Sequence, residues 1–196
     1  MSPTAHVTEQ IVGWLTRLGR NGVIERLMPP EDRSRLLADT KRFDLHPCAE
    51  LLDFYESCGG TTVPVGTSLD EVQFFPGFYW LSWDDAIANL TTFGSDPRWN
   101  KKWFPVFASG GGDFYALDCE TTSPSSCGVI GFMLGQSDHL IEYESLSTML
   151  ATILECYEKE AFFVDHRGYL EMNDDAHAQI ARAHNPRVPL WQTSNS

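Results

Sequence analysis

Three carboxylates, Asp113, Asp118 and Glu120, fall in one short stretch of the chain. A carboxylate pair does general acid–base chemistry when burial raises one pKa and leaves its neighbour ionised. Asp113 and Asp118 are five positions apart, so strand alternation sets them on opposite faces. Glu120 shares a face with Asp118 only if the strand runs on through Cys119. Turn capping and surface charge account for the trio more simply.

Other patterns fall short of chemistry in the same way. His177 and His184 are seven apart and can share one side of a helix. A metal site needs three or four converging ligands with outer support, and two histidines do not supply them. Gly110-Gly111-Gly112 leads into Phe114-Tyr115-Ala116-Leu117, which reads as a strand. A phosphate cradle needs a helix N-terminus there. The stretch from Asp165 to Glu171 lacks the alternating acids of a calcium loop, and Ala176 stands where its last acid belongs. It reads as an acidic turn. The chain has no G-x-S-x-G, H-E-x-x-H or Walker pattern. No catalytic residue, metal or cofactor is therefore expected.

The elements that hold these residues follow from periodicity and capping. Ile11, Trp14, Leu15 and Leu18 mark an amphipathic helix over 8–18, with Thr8 as cap and Gly19 as stop. A weaker helix follows Met28-Pro29-Pro30, over 31–41. A third starts at Pro47, carries Cys48, Leu51, Leu52 and Tyr55 on one face, and ends at Gly59-Gly60. Thr61-Thr62-Val63 reads as a strand. Ser82 caps a helix with Asp84 and Asp85 in its first turn, where the dipole favours anions. Strands are expected over 103–108, 114–118, 128–134 and 139–143, joined by short turns into an antiparallel meander. The turn from Cys119 to Cys127 keeps free thiols. Ser145 caps the most regular helix, with Leu146, Met149, Leu150, Ile153, Leu154 and Tyr157 on one stripe. That stripe must lie on the sheet, which has an apolar side to cover. Asn173 caps a last short helix, and the tail from Thr193 is expected to fray.

Composition narrows the function. The chain has 196 residues, with 27 acids against 14 bases and a formal charge of −13. Such a surface repels nucleic-acid phosphates and anionic lipid, and it attracts basic proteins. Five cysteines without a C-x-x-C pair, no signal-like N-terminus and no long apolar run suggest a cytoplasmic protein with reduced thiols.

The order of these pieces resembles a SUKH-superfamily domain. The resemblance runs from Pro47 to Ala161. It rests on Gly59-Gly60 before Thr61-Thr62-Val63, then Tyr79-Trp80-Leu81-Ser82-Trp83-Asp84-Asp85-Ala86-Ile87. Trp103-Phe104-Pro105-Val106, Gly111-Gly112-Asp113-Phe114-Tyr115-Ala116-Leu117-Asp118 and Gly128-Val129-Ile130 complete it. It implies an α+β fold: an antiparallel or mixed sheet of about five to six strands with helices on one face. The division expected is a helical extension over 1–45, a core over 46–163 and an appendage over 164–196.

The resemblance also implies a non-catalytic protein that binds other proteins. Many bacterial members resemble immunity proteins against polymorphic or contact-dependent toxins, often nucleases. A basic nuclease-type toxin is then the expected partner. A scaffold or regulatory module without a toxin is the alternative, and an enzyme or small-ligand protein a further one. Interfaces favour exposed aromatics, and acids suit a basic partner. The candidate contacts are Tyr79, Trp80, Trp83, Asp84, Asp113, Tyr115, Asp118 and Glu120. Trp83 also begins the apolar stripe of its helix, which points to the core. Tyr79 and Trp80 face opposite sides of a strand, so only one of them is expected at the surface.

Overall fold

The computed structural model describes residues 2–120 and 124–192. Part of the Cys119–Cys127 turn and the tail from Thr193 lie outside the described residues.

A five-stranded antiparallel meander forms the centre. Its strands are β1 (Tyr79–Trp80), β2 (Trp103–Ala108), β3 (Phe114–Asp118), β4 (Val129–Phe132) and β5 (Ile141–Tyr143), paired in that order. β6 (Phe162–Val164) and β7 (Leu170–Met172) make a separate hairpin. The helices are α1 (Pro3–Arg17), α2 (Asn21–Ile24), α3 (Arg33–Arg42), α4 (Ala49–Ser57), α5 (Trp83–Phe93), α6 (Leu146–Glu158), α7 (Asp174–His184) and α8 (Pro189–Gln192). The architecture is α+β, as expected.

Capping chemistry places most helix ends. Ser82 accepts from Asp85 N at the start of α5, and Ser145 forms a reciprocal capping box with Thr148 on α6. Asn173 caps α7 through Ala176 N. Three starts differ from expectation. α3 begins at Arg33, because Asp32 caps it through Ser34 N and Arg35 N. α1 begins at Pro3, because Ser2 caps it and proline suits the first turn. Thr8 is buried inside α1 and donates to Thr4 O. α4 begins at Ala49, and Pro47 lies outside it. Cys48 gives no side-chain cap, so Ala49 N and Glu50 N donate instead to Pro124 O and Ser125 O. Thr61-Thr62-Val63 is no strand: only Thr61 makes isolated bridges, to Leu27 and Leu81.

The sheet is covered on both faces. Strands β3 and β4 are buried along almost their whole length. One face meets α4 and α6. There Trp80 stacks on Phe54 with ring centroids 3.9 Å apart, and Trp83 stacks on Phe104 at 4.8 Å. Aromatic pairs of this kind contribute about 1 kcal/mol beyond area burial. The other face carries Phe114 and Phe132, capped by Phe93 from the end of α5 and by Trp99. One core cluster takes in Ile11 and Leu15 of α1 and Ile180 and Ala181 of α7.

Sheet edges are sites where further strands could pair. Thr61 N donates to Trp80 O at the β1 edge. At β5, Trp191 Nε1 donates to Glu142 O and Glu144 N donates to the Asn185 side chain.

Candidate functional site

Five of the eight expected contact residues separate into three places. Tyr79 pairs with Ala108, which pairs with Phe114, so Tyr79 and Asp113 share one end of the sheet. Trp103 pairs with Asp118, which puts Asp118 and Glu120 at the opposite end. Five residues of strand separate them, about 17 Å. Asp84 stands apart in the first turn of α5. The carboxylates that could have formed an acid–base pair are thus held apart by β3 itself.

Asp113 is a brace. Its Oδ1 accepts from Leu134 N at 2.8 Å, tying the β2–β3 connection to the β4–β5 connection. Ser109 Oγ accepts from Gly111 N and Asp113 N, which closes the glycine turn, and Gly110 and Gly112 take positive φ there. Asp118 accepts from Glu120 N, and Glu120 accepts from Asn100 Nδ2 at 3.4 Å. The Asp84 side chain is 79% exposed and pairs with Arg35. Arg35 also pairs with Glu31 and Asp39.

Three of the aromatic candidates are core residues. Trp80 and Trp83 have no exposed surface, and Tyr115 is 8% exposed. None of them can anchor a partner while the domain stays folded. The reason is tertiary: α4 lies over the face that Trp80 and Phe104 occupy, and β5 brings Tyr143 against Tyr115. Trp83 also donates its Nε1 to Asp39 Oδ2 at 3.0 Å. Tyr79 is partly buried, and burial raises its hydroxyl pKa.

A polar cluster inside the fold had no counterpart in the sequence reading. The β4–β5 register slips between Val129 and Ile130, so Glu142 is an extra, bulged residue between Ile141 and Tyr143. A bulge re-aims a side chain. Glu142 here reaches the Tyr115 hydroxyl, and burial raises its carboxyl pKa. The Tyr143 hydroxyl lies 3.3 Å from His177 Nε2, and the Trp191 ring packs on both Tyr143 and His177. Burial lowers the His177 pKa. Both groups therefore favour their neutral forms, which suits a hydrogen-bonded interior.

The thiols of Cys48, Cys119 and Cys127 adjoin one another, and all three are buried. The hydrogen bond with Cys127 and burial push Cys48 far up, and the hydrogen bond with Cys119 pushes Cys127 to about 12. Cys48 and Cys127 stay protonated at neutral pH and are poor nucleophiles. The Asp165 turn is likewise internal: Asp165 Oδ1 accepts from Arg167 N and Tyr169 N. Among the described residues, no group of three or more His, Cys, Asp or Glu side chains is arranged to hold a metal. None of their helices is long and apolar enough to cross a membrane.

Residues 49–152, just over half of the chain, match the family model described as the SMI1 / KNR4 family (SUKH-1). The chain belongs to that family. No curated protein matches it. The matched span of this SUKH-1 chain begins with α4 and ends within α6, so it contains the whole meander and α5. Trp80, Trp83 and Tyr115 lie inside it as core, as do Asp113 and the loop it braces. α1 to α3, the β6–β7 hairpin and α7 and α8 lie outside the match.

Proposed function

We propose that this SUKH-1 chain is a non-catalytic protein-binding domain that neutralises a toxin, and that its partner is a basic, nuclease-type protein. Family membership and net charge together carry the reading: a SUKH-1 fold with a formal charge of −13. The ion pairs use up the bases, since ten of the 14 Lys and Arg residues sit within 4.0 Å of an acid. The excess carboxylates are left to set the outer field. A basic partner is drawn in by that field and its encounter rate is raised. A protein placed over a nuclease's basic cleft stands in for the charge of its substrate.

Of the expected contacts, Asp84 and Glu120 are exposed, and Tyr79, Asp113 and Asp118 are partly covered. Co-expression with a toxin-like reading frame next to this gene is the test. Rescue of growth, with a stoichiometric complex whose affinity falls at least about tenfold between low and high salt, is the expected outcome. A toxin from the adjacent frame that still kills, and that does not bind the purified chain, would remove the proposal.

A further inference from the structure

The outward face of the β6–β7 hairpin is an unpartnered sheet face. Phe162 and Leu170 turn inward, with 2% and 4% of their surface exposed. Pairing of Phe163 with Glu171, and the bond from Asp165 N to Tyr169 O, set Phe163, Asp165, Tyr169 and Glu171 on the other side. Phe163 and Tyr169 are diagonal neighbours there and are 40% and 48% exposed. Met172 adds 39% exposure at the rim.

Acids surround this apolar centre. Asn173 N donates to Ala161 O at 2.8 Å, which pins the start of α7 against the start of β6. Asp174 and Asp175 thereby come alongside Glu158 and Glu160. All four are exposed, and none has an ion pair among the described residues. Over 158–175 there are six acids and two bases. Both bases are already held: Lys159 pairs with Glu155, and Arg167 pairs with Asp165 and lies over the Tyr169 ring.

We infer that this hairpin face, outside the matched family span, is a docking surface for a basic protein, with Phe163 and Tyr169 as its anchors. The inference rests on the protein-binding reading above and gives it a place. Exposed aromatics supply contact area in the middle of an interface, and the unpaired acids select a partner rich in Lys and Arg around an apolar patch. The same acids repel nucleic-acid phosphates and anionic lipid. The pairing of exposed aromatics with acids, expected around Trp80, Trp83 and Tyr115, is thus realised on the hairpin.

The test uses the full chain and a fluorescein-labelled amphipathic peptide of alternating Lys and Leu, with a Glu and Leu twin as control. Backbone amide shifts on titration should concentrate in 158–175. Phe163→Ser with Tyr169→Ser should weaken binding at least tenfold with thermal unfolding unchanged. Glu158→Gln, Glu160→Gln, Asp174→Asn and Asp175→Asn together should weaken it and flatten its salt dependence. Glu9→Gln with Asp138→Asn, exposed acids on α1 and on the β4–β5 connection, should leave it as it is. Shifts spread evenly over the acidic surface, or full binding by the Phe163→Ser, Tyr169→Ser variant, would overturn the inference. If that variant still neutralises a toxin that the wild-type chain neutralises, the hairpin is wrong and the toxin reading stands. Shifts centred on the hairpin with no toxin neutralised would leave the hairpin and remove the toxin.

Discussion

The carboxylate of Glu142 occupies the space that a side chain at Gly131 would need: a Cβ built on Gly131 meets Glu142 Oε1, Cδ and Cγ. Gly131 pairs with Tyr115 across β3 and β4, so the missing side chain opens a slot in the middle of the sheet. The bulge at Glu142 feeds the carboxylate into that slot, where it meets the Tyr115 hydroxyl. Glycine is required here for space and not for an unusual φ.

Gly131→Ala should therefore cost about 1–3 kcal/mol by overpacking. Urea unfolding measures it. The same substitution beside Glu142→Ala should cost much less, because the clashing atoms are gone, and a double-mutant cycle reads the difference. Equal costs in both backgrounds would show that Glu142 does not fill the slot.

Glu142 and His177 should give stability a pH dependence of opposite signs. Burial raises the Glu142 pKa, so its contribution is complete below the ordinary glutamate value of roughly 4.3 and is lost as pH rises through the raised one. Glu142→Gln should then raise Tm at pH 7 and have little effect near pH 4. Burial lowers the His177 pKa, with Asp174 opposing the shift. Its contribution is present above roughly pH 6.5 and is lost as pH falls through the lowered value. His177→Gln should flatten the acid side of the Tm profile, since Tyr143, Phe162 and Trp191 no longer face a group that must charge.

Two tyrosine hydroxyls hold the segment around β1. Tyr157 donates to Phe74 O at 2.8 Å and Tyr55 donates to Leu81 O at 3.1 Å, both buried. Tyr157→Phe and Tyr55→Phe should each cost about 1–2 kcal/mol, because each strands a buried carbonyl. Denaturant midpoints report the loss, and an unchanged midpoint would mean that water reaches those carbonyls.

Asp113→Ala separates a brace from a contact. Removing it leaves Leu134 N without its carboxylate partner and should cost about 1 kcal/mol. Affinity for a protein partner should change less than twofold. A large loss of affinity with unchanged stability would return Asp113 to the interface.

Trp191 should hold the C-terminal helices to the β5 edge. Trp191→Ala removes its bond to Glu142 O and its packing on Tyr143 and His177. We expect a loss of about 2 kcal/mol and faster amide exchange in α7 and α8. Unchanged exchange there would show that Asn185 and Arg187 suffice.

Local chemistry was legible in the sequence. Ser82 and Ser145 mark where α5 and α6 start, because a cap acts on amides within three residues. Alternation and turn residues place β2 at Trp103–Ala108 and β3 at Phe114–Asp118, and the ordered motifs point to the SUKH superfamily, to which the SUKH-1 family match belongs. Excess negative charge is a sum over residues and needs no structure. The tertiary structure alone decided which aromatics reach solvent. Trp80, Trp83 and Phe163 are alike as apolar side chains, and only the placing of α4 over the sheet and of the hairpin outside it separates them. It also decided the bulge at Glu142, since register depends on which strand lies alongside, and no property of the strand itself encodes that.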